Sequence, residues 1–144
     1  MKKIAIFISG AGSNAERMIL RFSKNENIEV SCLISSKQNE HIENLCKQHE
    51  VSYTESPFRE ENHQEIMSEL MKKEVEWIVL AGFLKKIPEE IIQVFPDRII
   101  NLHPSLLPKF GGKGMYGMHV HHAVIEAKEK FSGITIHYVN EEYD

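Results

Sequence analysis

Apolar positions along the chain follow two alternating rhythms. Residues 4–8, Ile-Ala-Ile-Phe-Ile, form an unbroken apolar run, the pattern of a strand buried on both faces of a parallel sheet. Residues 13–22 switch to helical spacing, with Met18, Ile19 and Phe22 on one side. The alternation then repeats. Residues 28–35 are β-rich, residues 38–49 carry Ile42, Leu45 and Cys46 at helical spacing, and residues 51–54 read as a short strand. Residues 59–73 are helical through Ile66, Leu70 and Met71, residues 75–80 are another buried strand, and Pro88, a favoured first-turn residue, opens a short helix to residue 94. A strand over 98–101, a helix over 119–130 and a strand over 133–140 complete the pattern.

Strands that alternate with helices predict βαβ units. The expected class is α/β, a three-layer, mostly parallel twisted sheet with helices on both faces. The 144 residues contain no internal repeat, low-complexity tract or linker, so one domain is expected. At 42% hydrophobic and 26% charged residues, the chain has the means to bury a core, and wholesale disorder is excluded. Acids outnumber bases by 21 to 17, a formal charge of −4 that disfavours nucleic acid or an anionic membrane as the main partner. Cys32 and Cys46 are expected as isolated buried thiols, since neither has a partner at zinc-binding spacing. The apolar run after Lys2-Lys3 is interrupted by Ser9-Gly10, short of the ~7–15 residues of a signal-peptide core. No later stretch is long enough to span a bilayer. A cytoplasmic setting is the expectation.

Ligands of such sheets bind beyond the carboxyl ends of the strands. That rule selects residues 9–14, 81–87, 101–116 and whatever follows Val139. In the first loop, Ser9-Gly10-Ala11-Gly12-Ser13-Asn14-Ala15, glycines let the backbone approach a ligand, and the helix start offers free N–H groups and a positive dipole end. Phosphate is the natural guest. The string also fits G-x-G-x-x-A, but a dinucleotide site wants an acid at the end of the second strand, where Ser35-Ser36-Lys37 stand. A phosphate cradle is therefore preferred, with a merely tight turn or a dinucleotide site as alternatives.

The second candidate is Asn101-Leu102-His103-Pro104. Asn101 is expected to end a buried strand, and alternation puts Asn101 and His103 on one side. An amide donor beside an imidazole suits stabilisation of a carbonyl oxyanion and proton transfer. A capping asparagine and a surface histidine fit the same spacing. In the last strand, Thr135, His137 and Val139 share one face, expected as a hydrogen-bonded core pair and less readily as a site wall. His119 and His121 diverge by ~200° on a helix, so they read as exposed helix-start residues and not as metal ligands. Nucleophilic catalysis has no G-x-S-x-G elbow to support it.

The run Asn101-Leu102-His103-Pro104-Ser105-Leu106-Leu107-Pro108-Lys109-Phe110 closely resembles the signature of the folate-dependent formyltransferases. Gly111-Gly112-Lys113-Gly114-Met115-Tyr116, Gly12-Ser13-Asn14 and Ala81-Gly82-Phe83 resemble the branch that formylates glycinamide ribonucleotide. The likeness runs the whole chain in order. It implies the formyltransferase, Rossmann-like fold. It also implies transfer of the formyl group from 10-formyltetrahydrofolate to the amino group of glycinamide ribonucleotide in purine biosynthesis, without a metal. By position, Asn101, His103 and Asp144 match the catalytic trio, and Gly12, Ser13 and Asn14 match the phosphate-binding backbone. Phe83, Leu84, Lys85, Lys86 and Ile87 match the folate wall, with Arg59 and Lys85 near the folate's glutamate tail and Thr135 and His137 as supporting wall. The resemblance also suggests a cis Leu107-Pro108 bond.

Ala11 and Lys86 depart from the family pattern, which often has a polar Asn and an apolar residue there. The chain stops at Asp144 where relatives continue, so it is expected to be a domain truncated at its C-terminal end, whose own activity does not follow from its parent's. Expected partners are glycinamide ribonucleotide and folate, with no nucleic acid and no membrane, in a monomer or homodimer. The competing readings are formyltetrahydrofolate deformylase, a hydrolase of the same superfamily, and a non-enzymatic nucleotide-binding module.

Overall fold

The structure, a computed structural model, describes residues 1–103 and 135–139. In chain order these form β1 (Lys2–Ile8), α1 (Ser13–Phe22), β2 (Ile28–Ser35), α2 (Glu40–Gln48), β3 (Ser52–Glu55), a 3-10 turn (Glu60–Asn62), α3 (His63–Lys72), β4 (Trp77–Leu80), α4 (Glu89–Val94), β5 (Ile99–His103) and β6 (Thr135–Tyr138). The six strands make one sheet in the order β3-β2-β1-β4-β5-β6. All pairs are parallel except the last, where β6 runs antiparallel to β5.

The continuous apolar run of β1 has a direct physical cause, because both of its faces are covered. Ala5 and Phe7 pack with Ile66 and Leu70 of α3 and Ile91 of α4. Ile4, Ile6 and Ile8 pack on the other side with Ala15 and Ile19 of α1 and Ile42, Leu45 and Cys46 of α2. Helices therefore lie on both faces, and the three-layer expectation holds. Ile6, Phe7 and Ile8 are wholly buried, and each such side chain contributes about 1.5–3 kcal/mol.

Several boundaries move for identifiable reasons. The expected helix over 59–73 begins as the 3-10 turn, where Asn62 Oδ1 accepts the Arg59 N–H at 3.2 Å, and becomes α-helical only at His63. α2 starts at Glu40 because Asn39 caps it, its Oδ1 accepting the Ile42 N–H at 3.0 Å. Pro88 is the N-cap of α4, one residue before its first turn. β5 continues through His103, so Asn101 lies inside the strand and does not end it. The cause is β6, which extends the ladder by pairing Asn101 with His137 and His103 with Thr135. The expected helix over 119–130 lies outside the described residues.

Cys32 and Cys46 are free and buried. Burial, with the Glu69 charge adding to it, pushes the Cys32 thiol up to about 12; burial and Glu43 push Cys46 up to about 11. Above the ordinary value of 9.0 the unfolded thiols ionise while the folded ones keep their protons. Rising pH therefore favours unfolding across this window. Native protein at about pH 8 is expected to resist maleimide labelling that the unfolded chain accepts at both thiols. The urea midpoint is expected to fall between about pH 8 and pH 10.5, and less so in a Cys32→Ala variant. Rapid labelling of the native chain would contradict this placement.

Candidate active site

Strand order reverses at β1, because the chain builds β2 and β3 on one side of it and returns to build β4 and β5 on the other. The loops leaving the carboxyl ends of β1 and β4 flank this reversal, the place where parallel α/β sheets bind their ligands.

The glycine loop, between β1 and α1, lies on one side of the reversal. Gly12 has φ +79°, and a Cβ there would stand 2.8 Å from Ile42 Cγ1 and 3.2 Å from Ile8 Cδ1. Left-handed backbone and close packing together require glycine. Gly12 is also the N-cap of α1 and has no side chain to cap it, so the first-turn amides remain available beside exposed Ser13 and Asn14. The loop is braced from α2. Asn39 Nδ2 donates to the carbonyls of Gly10 at 3.0 Å and Ala11 at 3.2 Å, while Tyr53 Oη accepts the Asn39 N–H at 3.1 Å. The end of β2 offers buried hydroxyls, Ser35 and Ser36, where a ribose would want a carboxylate.

The other side begins at Gly82, whose φ of +73° turns the chain back over β1. Ser9 N donates to Gly82 O at 3.1 Å, and Ser9 Oγ accepts the Leu84 N–H at 2.9 Å. Residues 83–87, expected as one wall, divide into two roles. Phe83 packs inward, its ring 4.6 Å from that of Phe58 and 5.4 Å from that of Phe7, and Ile87 is buried in the same core. Leu84, Lys85 and Lys86 are exposed. Phe58 adopts a left-handed backbone, φ +56°, to put its ring against Phe83, and exposed Arg59 follows it directly. The exposed part of this loop therefore presents one apolar and two cationic side chains, next to the buried aromatic rings.

β5 and β6 bring the next pair together. Asn101 is half-buried, and its Nδ2 lies 3.1 Å from His137 Nε2. His137 Nδ1 lies 3.1 Å from the Tyr138 carbonyl, which can only accept. The imidazole proton of the neutral ring therefore sits on Nδ1, and Nε2 accepts from the Asn101 amide. This bond orients the Asn101 side chain and leaves its second amide hydrogen for another acceptor. His137 thus has a cross-strand partner in Asn101, and the expected pairing of Thr135 with His137 falls on a side chain outside the described residues. His103 lies two residues further along β5 in register with Thr135. The side chains of His103 and Thr135, together with Asp144, the Leu107-Pro108 bond and the histidines at 119, 121 and 122, lie outside the described residues. Among the described residues no group of three His, Cys, Asp or Glu is placed to hold a metal ion, and no helix is long and apolar enough to cross a membrane.

Asn39, Ser36 and Phe58 do not stand out as site residues in the sequence pattern, and Ser9 stands out only as part of a loop. Asn39 had a usable signal, an asparagine directly before a helical run. Phe58 had none, because no local pattern marks a phenylalanine in left-handed backbone.

The family profile described as formyl transferase matches residues 2–144. The chain is 41% identical over 150 residues to the chloroplastic phosphoribosylglycinamide formyltransferase of Arabidopsis thaliana, covering 99% of this chain and 51% of that protein. It is 40% identical over 151 residues to phosphoribosylglycinamide formyltransferase of Bacillus subtilis, covering all of this chain and 74% of that one. The crystal structure of phosphoribosylglycinamide formyltransferase from Bacillus halodurans superposes with a TM-score of 0.84 at 33% identity, covering 99% of this chain and 74% of that chain. The chain thus spans about half the length of the plant relative.

Proposed function

The chain belongs to the formyl transferase family, and we propose that it transfers a formyl group from 10-formyltetrahydrofolate to the amino group of glycinamide ribonucleotide, in cytoplasmic purine biosynthesis. The names of its relatives support the reaction. The observation that carries the site is the Asn101 amide, held by His137 at the carboxyl half of β5, the strand beyond β4 on the far side of the reversal.

In this reading the ribonucleotide phosphate sits on the amides of Gly12, Ser13 and Asn14, where the α1 dipole favours negative charge. The folate lies against Leu84, Lys85 and Lys86, with Phe83 and Ile87 supporting them from below and Arg59 and Lys85 facing the glutamate carboxylates. The substrate amine attacks the formyl carbon, and a tetrahedral oxyanion forms. Asn101 donates its second amide hydrogen to that oxygen, and His103 is the second donor. Asp144 favours the protonated imidazole of His103 and relays the proton shed by the amine toward the leaving folate nitrogen. The scheme needs no metal. Thr135 and His137 act as support, His137 by fixing the rotamer of the Asn101 amide.

The test is an assay of this chain with 10-formyltetrahydrofolate, with and without glycinamide ribonucleotide. Formylated ribonucleotide formed only with the acceptor present is the expected result. Formate released equally well without acceptor would make the protein a deformylase. Tight NAD(P) binding with no response to the ribonucleotide would make it a nucleotide-binding module.

A further inference from the structure

We propose that Ser9 is a positioning residue that sets the pitch of the folate wall, an inference that rests on the reading of residues 83–87 given above. Ser9 is the first residue beyond β1, at the reversal of strand order, and it is 4% exposed. Its Oγ accepts two hydrogen bonds, from the Leu84 N–H at 2.9 Å and from the Ser36 hydroxyl at 2.6 Å. Its own N–H donates to Gly82 O at 3.1 Å, and Ser36 N donates to Ile8 O at 2.9 Å. One hydroxyl therefore fastens the ends of β2, β1 and β4 beyond the reach of the β ladder.

The effect on the wall is specific. Gly82 bends the chain at φ +73°, and a Cβ there would meet nothing within 4 Å, so this glycine serves conformation and not packing. The bend returns the Leu84 N–H to Ser9. The Phe83 ring is held between Phe7 and Phe58. With its amide tied down and the preceding ring buried, Leu84 keeps its side chain outward, 43% exposed. The glycine loop has a separate brace in Asn39, whose amide holds the Gly10 and Ala11 carbonyls. Loss of the Ser9 hydroxyl should therefore loosen the wall and spare the phosphate cradle. It would leave the Leu84 N–H and the Ser36 hydroxyl without their acceptor.

The experiment combines amide hydrogen exchange at Leu84 with equilibrium titrations of 10-formyltetrahydrofolate and, separately, glycinamide ribonucleotide, on the wild-type chain and on Ser9→Ala, Ser9→Thr and Ser36→Ala. In the wild type the Leu84 amide is expected to exchange slowly although it lies in a surface loop. Ser9→Ala is expected to speed that exchange about tenfold and to weaken the folate Kd about three- to tenfold, with the ribonucleotide Kd changed less than about twofold. Ser9→Thr keeps the oxygen and is expected to restore both values. Ser36→Ala leaves the Leu84 bond in place and is expected to keep Leu84 exchange within about twofold of wild type. Fast exchange at Leu84 in the wild type would overturn the inference whether or not any variant folds. Equal folate affinity in wild type and Ser9→Ala would overturn it while leaving the proposed function standing. A wild-type chain that binds no folate would overturn the reading of the wall, and this inference with it.

Discussion

Asn101→Ala is expected to lower formyl transfer by about 10²–10³-fold at saturating substrates, the usual cost of removing one oxyanion donor, equivalent to about 2.7–4 kcal/mol of barrier. The fold should survive. β5 is held by its backbone pairing, with Leu80 in register on one side of Asn101 and His137 on the other, and the ladder does not use the amide side chain. The effect should fall on turnover and not on the Kd of either substrate, because the proposed bond strengthens only as charge develops on the formyl oxygen. His103→Ala and Asp144→Ala are expected to collapse turnover in the same way. Steady-state kinetics, with circular dichroism and urea midpoints to establish folding, measures all three. Near-normal turnover in all three variants would defeat the assignment.

Gly12→Ala is expected to damage stability and phosphate binding together. An L-residue in left-handed backbone costs about 1–2 kcal/mol. The added methyl would also press on Ile42, wholly buried and 2.8 Å from the new Cβ at its Cγ1. Overpacking of this kind adds about 1–3 kcal/mol. Relief requires movement of the loop or of α2, and either displaces the amides of Ser13 and Asn14. Gly10→Ala is the internal control, since a Cβ at Gly10 would meet nothing within 4 Å. That variant should stay within about 0.5 kcal/mol of wild type. Urea titrations of both variants, with ribonucleotide titrations alongside, provide the comparison. A Gly12→Ala protein as stable as Gly10→Ala would contradict the packing described.

The layers of the fold are legible in the sequence wherever burial repeats with a local period. β1 reads as an unbroken apolar run because Ala5 and Phe7 face one layer while Ile4, Ile6 and Ile8 face the other. α1, α2 and α3 read from helical spacing because each lays one stripe on the sheet. The end of β5 does not read, because its last residues become strand through β6, some 35 positions away, as the pairing of Asn101 with His137 shows. The same distance hides the Asn101–His137 bond. Alternation can place His137 on a face, but only the register says what stands opposite it. The wall was legible as a segment and not in its division of labour. Phe83 turns inward because Phe58 waits beneath it in a backbone conformation that has no sequence signature. Ser9 reads as an ordinary turn residue, since its two donors come from Ser36 and Leu84, remote in the chain.

In the proposed function two ligands meet at the reversal point of the sheet, one on the glycine loop and one on the loop after β4. Amide chemical-shift mapping of the chain, titrated first with glycinamide ribonucleotide and then with 10-formyltetrahydrofolate, tests it most directly. The ribonucleotide is expected to shift the amides of Gly12, Ser13 and Asn14, the folate those of Leu84, Lys85 and Lys86, and both together the side-chain amide of Asn101. Shifts confined to the β3 edge or to the amino ends of the strands, with those residues unmoved, would contradict it.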